Sequence, residues 1–131
     1  KGRFLAPFFY DISTSSVATD VIRLTTATNA DFGYTTTISE SGDLADGAEV
    51  IDDVADGSVT AGNEEYGIGV TGDHAGFVTH EPITGSSLVV ATHPSWTGGT
   101  HTYVTHYAAV SPVTADGSYS HTVSYVSVGT F

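Results

Sequence analysis

Strand signals recur along the whole chain, while a helical repeat of apolar residues is hard to find anywhere in it. Runs rich in Thr, Val, Tyr and Ser are broken at short intervals by Gly, Asp, Asn and Pro, the pattern of short strands and tight turns. The clearest alternation is Tyr66-Gly67-Ile68-Gly69-Val70, which sets Tyr66, Ile68 and Val70 on one face. Further strands are read at Val21 to Thr28, Tyr34 to Ser39, Leu88 to Thr92, about His101 to Val110 and about Ser118 to Val128. Asn29-Ala30-Asp31-Phe32-Gly33 links the first two of these. Ser111-Pro112-Val113-Thr114-Ala115-Asp116-Gly117 reads as a hairpin loop between the last two, with Gly117 supplying a positive φ. From Asp43 to Glu65 the chain is rich in acids, with only Leu44, Val50, Ile51, Val54 and Val59 as apolar anchors. That stretch reads as a long, mostly solvated connection with room for one or two short edge strands or a helical turn. The fold class expected is all-β, a single antiparallel β-sandwich of about 7–9 strands, Ig-like or jelly-roll-like.

One domain accounts for 131 residues, and a chain of that length builds a core without staples. The absence of Cys excludes a disulfide scaffold, a thiol nucleophile and Cys-ligated metal. Fifteen acids against three bases give a net charge of −12. With only Lys1, Arg3 and Arg23 as cations, no basic face exists for nucleic acid or an anionic membrane surface. No apolar run reaches the length of a spanning helix, so membrane insertion is not expected. The lack of Met, the low charged fraction of 14% and the abundance of Thr, Ser and Gly point to an extracellular surface protein whose signal sequence has been removed.

The residues that carry chemistry elsewhere form no recognisable constellation here. His101 and His106 are five apart on a strand and face opposite ways. His121 lies on the next strand, and His74, His80 and His93 are placed in loops. They read as exposed or hydrogen-bonded surface histidines, and no metal or other cofactor is expected. Asp52, Asp53, Asp56 and Gly57 do not follow the spacing of a calcium loop. There is no nucleophile elbow, no phosphate loop and no carboxylate pair placed across a cleft, so no enzyme is expected. The only Lys is Lys1, which leaves no core lysine for an internal isopeptide bond. Trp96 sits in the loop His93 to Gly99, where an exposed ring would offer a sugar platform with Tyr103 and a buried ring would plug one end of the fold.

The N-terminal segment, residues 1–16, is set apart from a β-sandwich domain at 17–131. Phe4, Leu5, Phe8, Phe9, Tyr10 and Ile12 make it one of the most apolar stretches, although chain ends are usually polar. Burying such side chains contributes roughly 1.5–3 kcal/mol each. Two readings stay open: a first strand paired within its own sandwich, or a strand donated to a neighbouring subunit.

Three stretches carry a resemblance. Leu24 to Ile38, with Thr28-Asn29-Ala30 and Gly33-Tyr34, resembles a TNA..GY pattern of secreted bacterial surface proteins. Glu64-Glu65-Tyr66-Gly67 is similar to the strand that follows it there, and Ala115 to Tyr125 is similar to their terminal aGtYs.tvtY hairpin. The last pattern also resembles the final strands of spore-coat-U-like and other chaperone–usher pilin domains. From residue 21 onward the resemblance implies a β-sandwich surface domain and, by analogy, a fibre subunit of the donor-strand type, as in TasA-like matrix filaments. The W-x-L motif of wall-binding domains is missing, Trp96 being followed by Thr97 and Gly98. The function expected is a structural subunit of an extracellular filament, pilus or surface layer whose partners are other copies of itself, joined head to tail. The alternative is a monomeric adhesin or carbohydrate-binding module that meets surface glycans through Trp96.

Overall fold

The computed structural model describes residues 11–131 together with the short strand Phe4–Leu5. The described residues form an all-β protein whose strands pair antiparallel throughout. In chain order the strands are β1 (Phe4–Leu5), β2 (Ala18–Thr28), β3 (Tyr34–Glu40), β4 (Leu44–Asp46), β5 (Glu49–Ile51), β6 (Glu65–Gly72), β7 (Leu88–His93), β8 (Thr97–Ala109) and β9 (Thr122–Gly129). One sheet has the order β1-β9-β3-β7, a second the order β2-β8-β6, and β4-β5 is a separate hairpin.

Period-two alternation places the core. Ile38, Val90 and Val123 from the four-stranded sheet meet Ile68, Val70, Val104 and Ala108 from the three-stranded sheet in one buried cluster, which Leu44 and Ile51 of the small hairpin extend. The two sheets therefore share their inner faces as the two layers of one core. Tyr66, Ile68 and Val70 lie in that cluster as their spacing requires.

The connections differ from expectation. The segment Ser111 to Gly117 is not a hairpin loop, because β8 pairs with β2 and β6 while β9 pairs with β3 and β1. The loop carries the chain from one layer to the other, turning through Ser111, whose backbone amide donates to Thr114 Oγ1 at 3.0 Å. The last strand begins at Thr122 rather than Ser118. Gly117 is absent from the positive-φ glycines, and its role is close approach: a Cβ there would lie 2.3 Å from Asp46 Oδ2. Asp46 uses that oxygen to accept from the Ser118 amide at 2.9 Å.

The acidic middle is also better ordered than its composition implies. Leu44, Ile51, Val54 and Val59 are all buried. Val54 and Val59 form a small outer cluster with Ala109, against which Val17 and Tyr107 pack. Gly67 lets this layer close on β6, since a Cβ there would sit 2.5 Å from Val54 Cγ1. The apolar anchors turn inward on one side of the segment and leave most of its carboxylates to water.

The two flanks of the core are unequal. After β6 the chain bridges directly to β7 through Ala75 and Ala91, so β6 and β7 share one side of the molecule and β2 and β1 the other. On the β6 side, a bridge from Ile68 to Glu81 and one from Tyr66 to Asp53 cover the edge. On the other side, among the described residues, β1 pairs with β9 at Phe4–Val123 and Leu5–Thr122. Along β2, Ile22 and Leu24 point the same way as their buried partners Val104 and Thr102 yet are only half-buried.

The turn between β2 and β3 depends on Gly33. Its φ of +81° and a hypothetical Cβ 1.8 Å from the His93 carbonyl oxygen leave no space for a side chain. Gly33→Ala is expected to lower stability by about 2–5 kcal/mol, combining left-handed strain with backbone overlap. Urea unfolding compared with wild type measures this, and a loss under 1 kcal/mol would contradict the close approach.

Candidate functional site

Polar side chains run through the core at one end of the two sheets. His106 of β8 shares the inward parity of Thr102 and Val104 and is fully buried. Its Nδ1 lies 2.7 Å from the hydroxyl of Tyr66 on β6, and its Nε2 lies 3.1 Å from the hydroxyl of Tyr125 on β9. A neutral imidazole donates from one nitrogen and accepts at the other, which suits one phenol on each side. The arrangement ties two strands of one sheet, β6 and β8, to β9 of the facing sheet. Burial, with nearby His121 as a second cause, pushes the His106 imidazole down to about 4. Burial also raises the phenols of Tyr66 and Tyr125 far above their ordinary range, so both are protonated hydroxyls at any physiological pH.

Next to this spine is a buried acid–imidazole contact. Glu40 ends β3 on the inward parity of Tyr34, Thr36 and Ile38, and its side chain is 1% exposed. His121 Nδ1 lies 2.9 Å from Glu40 Oε2 and 3.1 Å from the Gly42 carbonyl oxygen. The hydrogen on that nitrogen points to the carbonyl, so Glu40 Oε2 accepts no hydrogen bond, and His121 Nε2 is likewise buried without one. The His121 ring meets Tyr66 edge-on at 5.0 Å. Asp43, in the turn after β3, and Asp53, just beyond β5, bring carboxylate oxygens within 4.8 Å of each other and of Glu40. Partial burial, then the charges of Glu40 and Asp43, raise the Asp53 carboxyl to about 6.

His106 and His121 are therefore core residues and not the surface histidines expected, whereas His101 faces outward as its odd offset from His106 requires. His93 closes β7 and stacks on His74 at 3.9 Å, and Tyr34 contacts the latter through its hydroxyl at 2.9 Å. Neither Glu40 nor the convergence of Asp43 and Asp53 on it was singled out from sequence. The parity of β3 holds the signal for Glu40, since Ile38 and Glu40 are two residues apart on one strand.

Trp96 is 66% exposed at the end of the molecule. It lines a shallow open groove with Ala27, Thr28, Asn29, Thr97 and Gly98. Tyr103 is outside this groove. It lies on the outward parity of β8, six residues beyond Thr97 and so about 20 Å along the strand at about 3.3 Å per residue. Of the N-terminal residues, Ile12 packs against the core of its own chain, and Phe4 and Leu5 pair through their backbones with β9. Phe8, Phe9 and Tyr10 lie outside the described residues. No family model, curated protein or solved structure matches the chain.

The depressed His106 pKa makes a signed prediction. The unfolded chain takes up the proton near 6.5 and the folded chain only near 4, so stability is retained above pH 6.5 and falls as pH drops through that window. The full loss is about 3 kcal/mol, because each unit is worth about 1.4 kcal/mol. The raised Asp53 carboxyl runs the other way, losing stability as pH rises from 3.8 to about 6. Subtracting the urea-unfolding profile of His106→Gln from that of wild type removes the Asp53 contribution. The difference is expected to shrink by about 2–3 kcal/mol between pH 6.5 and 4; parallel profiles would refute a neutral buried His106.

Proposed function

We propose that the chain is a non-enzymatic structural subunit of an extracellular filament, assembling head to tail by donation of its N-terminal strand to a neighbouring copy. The observation that carries this reading is the flank between β9 and β2, which the described residues leave largely uncovered. Beyond Val123, the outer edge of β9 has no described strand beside it, and Ser127, on the inward parity of Val123 and Tyr125, is exposed. Opposite, Ile22 and Leu24 offer half-buried apolar side chains on an inward face. An extended apolar segment laid along β9 gains main-chain hydrogen bonds and covers that face at once, the two components of strand addition. A short β1, joined to its own chain by two described residue pairs at one end of β9, makes exchange into a neighbour topologically simple, and repeated exchange grows a fibre rather than a closed dimer.

A second reading rests on Trp96. An exposed indole beside Thr28, Asn29 and Thr97 provides a stacking face with polar groups at its margin, the composition of a glycan-binding surface on a monomeric adhesin.

Negative-stain electron microscopy separates the two. Full-length protein is expected to form fibres, and protein lacking residues 1–10, checked for its β spectrum by circular dichroism, is expected to remain monomeric. Ile12 is kept because it packs in its own core. Monomers from both would overturn strand donation, and glycan-array binding lost in Trp96→Ala would then establish the second reading.

A further inference from the structure

We propose that Glu40, Asp43 and Asp53 form a binding site for a hard divalent cation, calcium, which ties the turn after β3 to the segment after β5. The site goes beyond self-assembly and stands whether or not the subunits polymerise. Three carboxylates converge from separate parts of the chain, with oxygens within 4.8 Å of one another. Clusters of exposed acids are common on a chain of net charge −12, and convergence alone would mean little.

What distinguishes this one is Glu40. Its side chain is 1% exposed, and its Oε2 receives no hydrogen bond among the described residues. A buried carboxylate oxygen in that condition is costly unless a positive charge meets it. His121 stands beside it but directs its Nδ1 hydrogen to the Gly42 carbonyl. A cation held jointly with Asp43 and Asp53 supplies what Glu40 lacks and relieves the repulsion among the three acids.

The donor set selects the ion. All three ligands are carboxylates, hard oxygen donors that suit calcium or magnesium over the softer transition metals. Calcium takes about six to eight oxygens at about 2.3–2.6 Å in flexible geometry and so accommodates three carboxylates drawn from separate parts of the chain, whereas magnesium, at about 2.0–2.1 Å, demands a near-ideal octahedron. Asp43 is exposed, so the ion enters from solvent and water completes its shell, while Glu40 anchors it from within.

The test is thermal unfolding of the full chain at pH 7.5 and constant ionic strength, in EDTA and in 1 mM calcium chloride, with isothermal titration calorimetry for stoichiometry. Calcium is expected to raise Tm by at least 5 °C in wild type with one ion bound per chain. Asp43→Asn, at an exposed position that does not threaten folding, is expected to lose the shift, and Asp31→Asn, at an exposed position in the β2–β3 turn, to keep it. An equal shift in wild type and Asp43→Asn would reduce the effect to charge screening and overturn the site. Absence of binding at millimolar calcium would overturn it as well, and an equal response to magnesium chloride would overturn the assignment to calcium.

Discussion

A single imidazole joins the two layers of this protein. His106 stands on the central strand of the three-stranded sheet, reaches Tyr66 on its neighbour β6 and crosses to Tyr125 on β9 of the facing sheet. Apolar packing around it is non-directional and tolerates small sliding of one sheet over the other. Two hydrogen bonds from a fully buried ring do not, because a slip of one residue would turn His106 outward and leave both phenols to find other partners. The spine is thus a device for register as well as cohesion. Its cost is a ring held neutral inside the fold by burial, which lowers its affinity for a proton.

The apolar core is arranged around that constraint. Ile38, Val90 and Val123 on one side and Ile68, Val70 and Val104 on the other occupy the remaining inner positions, and the small β4–β5 hairpin closes one end with Leu44 and Ile51. Outside the three-stranded sheet, glycines 67 and 69 flatten β6 so that Val54, His80 and Tyr107 can lie against it. The acidic segment therefore does structural work with its few apolar residues, while its carboxylates keep the surface strongly negative. Two of those acids, Asp43 and Asp53, converge on Glu40 of β3, whose side chain lies inside.

Alternation along single strands was the legible part. Tyr66, Ile68 and Val70 were assigned to one face by their spacing, and β2, β3, β7 and β8 lie close to where their turn residues bound them. Strand partnership was not legible. Ser111 to Gly117 has the composition of a hairpin loop, yet it changes layers, because partner choice is decided by contacts distant in sequence. Gly117 illustrates the same limit: its dispensable side chain reflects Asp46, which is 71 positions earlier. His106 and Glu40 were legible in principle, as each lies two residues from an aliphatic residue on a strand of plain alternation. Polarity argued for the surface, parity for the core, and parity prevailed because each polar group lies beside a partner or a neighbouring charge.

The unequal flanks of the fold carry the functional argument. An open sheet edge is a standing invitation to pairing, and proteins usually blunt it with charge, proline, bulges or a covering segment. Here the β6 side is covered twice, by the bridge to Glu81 and by the Asp53 contact. The β9 side has no charged residue from Thr122 to Gly129 to discourage a partner. The same chain that closes one edge with its acidic segment leaves the other without a described strand along most of β9, beside the half-buried Ile22 and Leu24. An edge of that kind invites a strand to lie along it. The N-terminal strand begins that cover at Val123 and Thr122, and the physics of extension is the same whether the next residues come from its own chain or from a neighbour. The choice between them is a matter of effective concentration and geometry, so the proposed strand donation depends on the strand's tether rather than on a new interface.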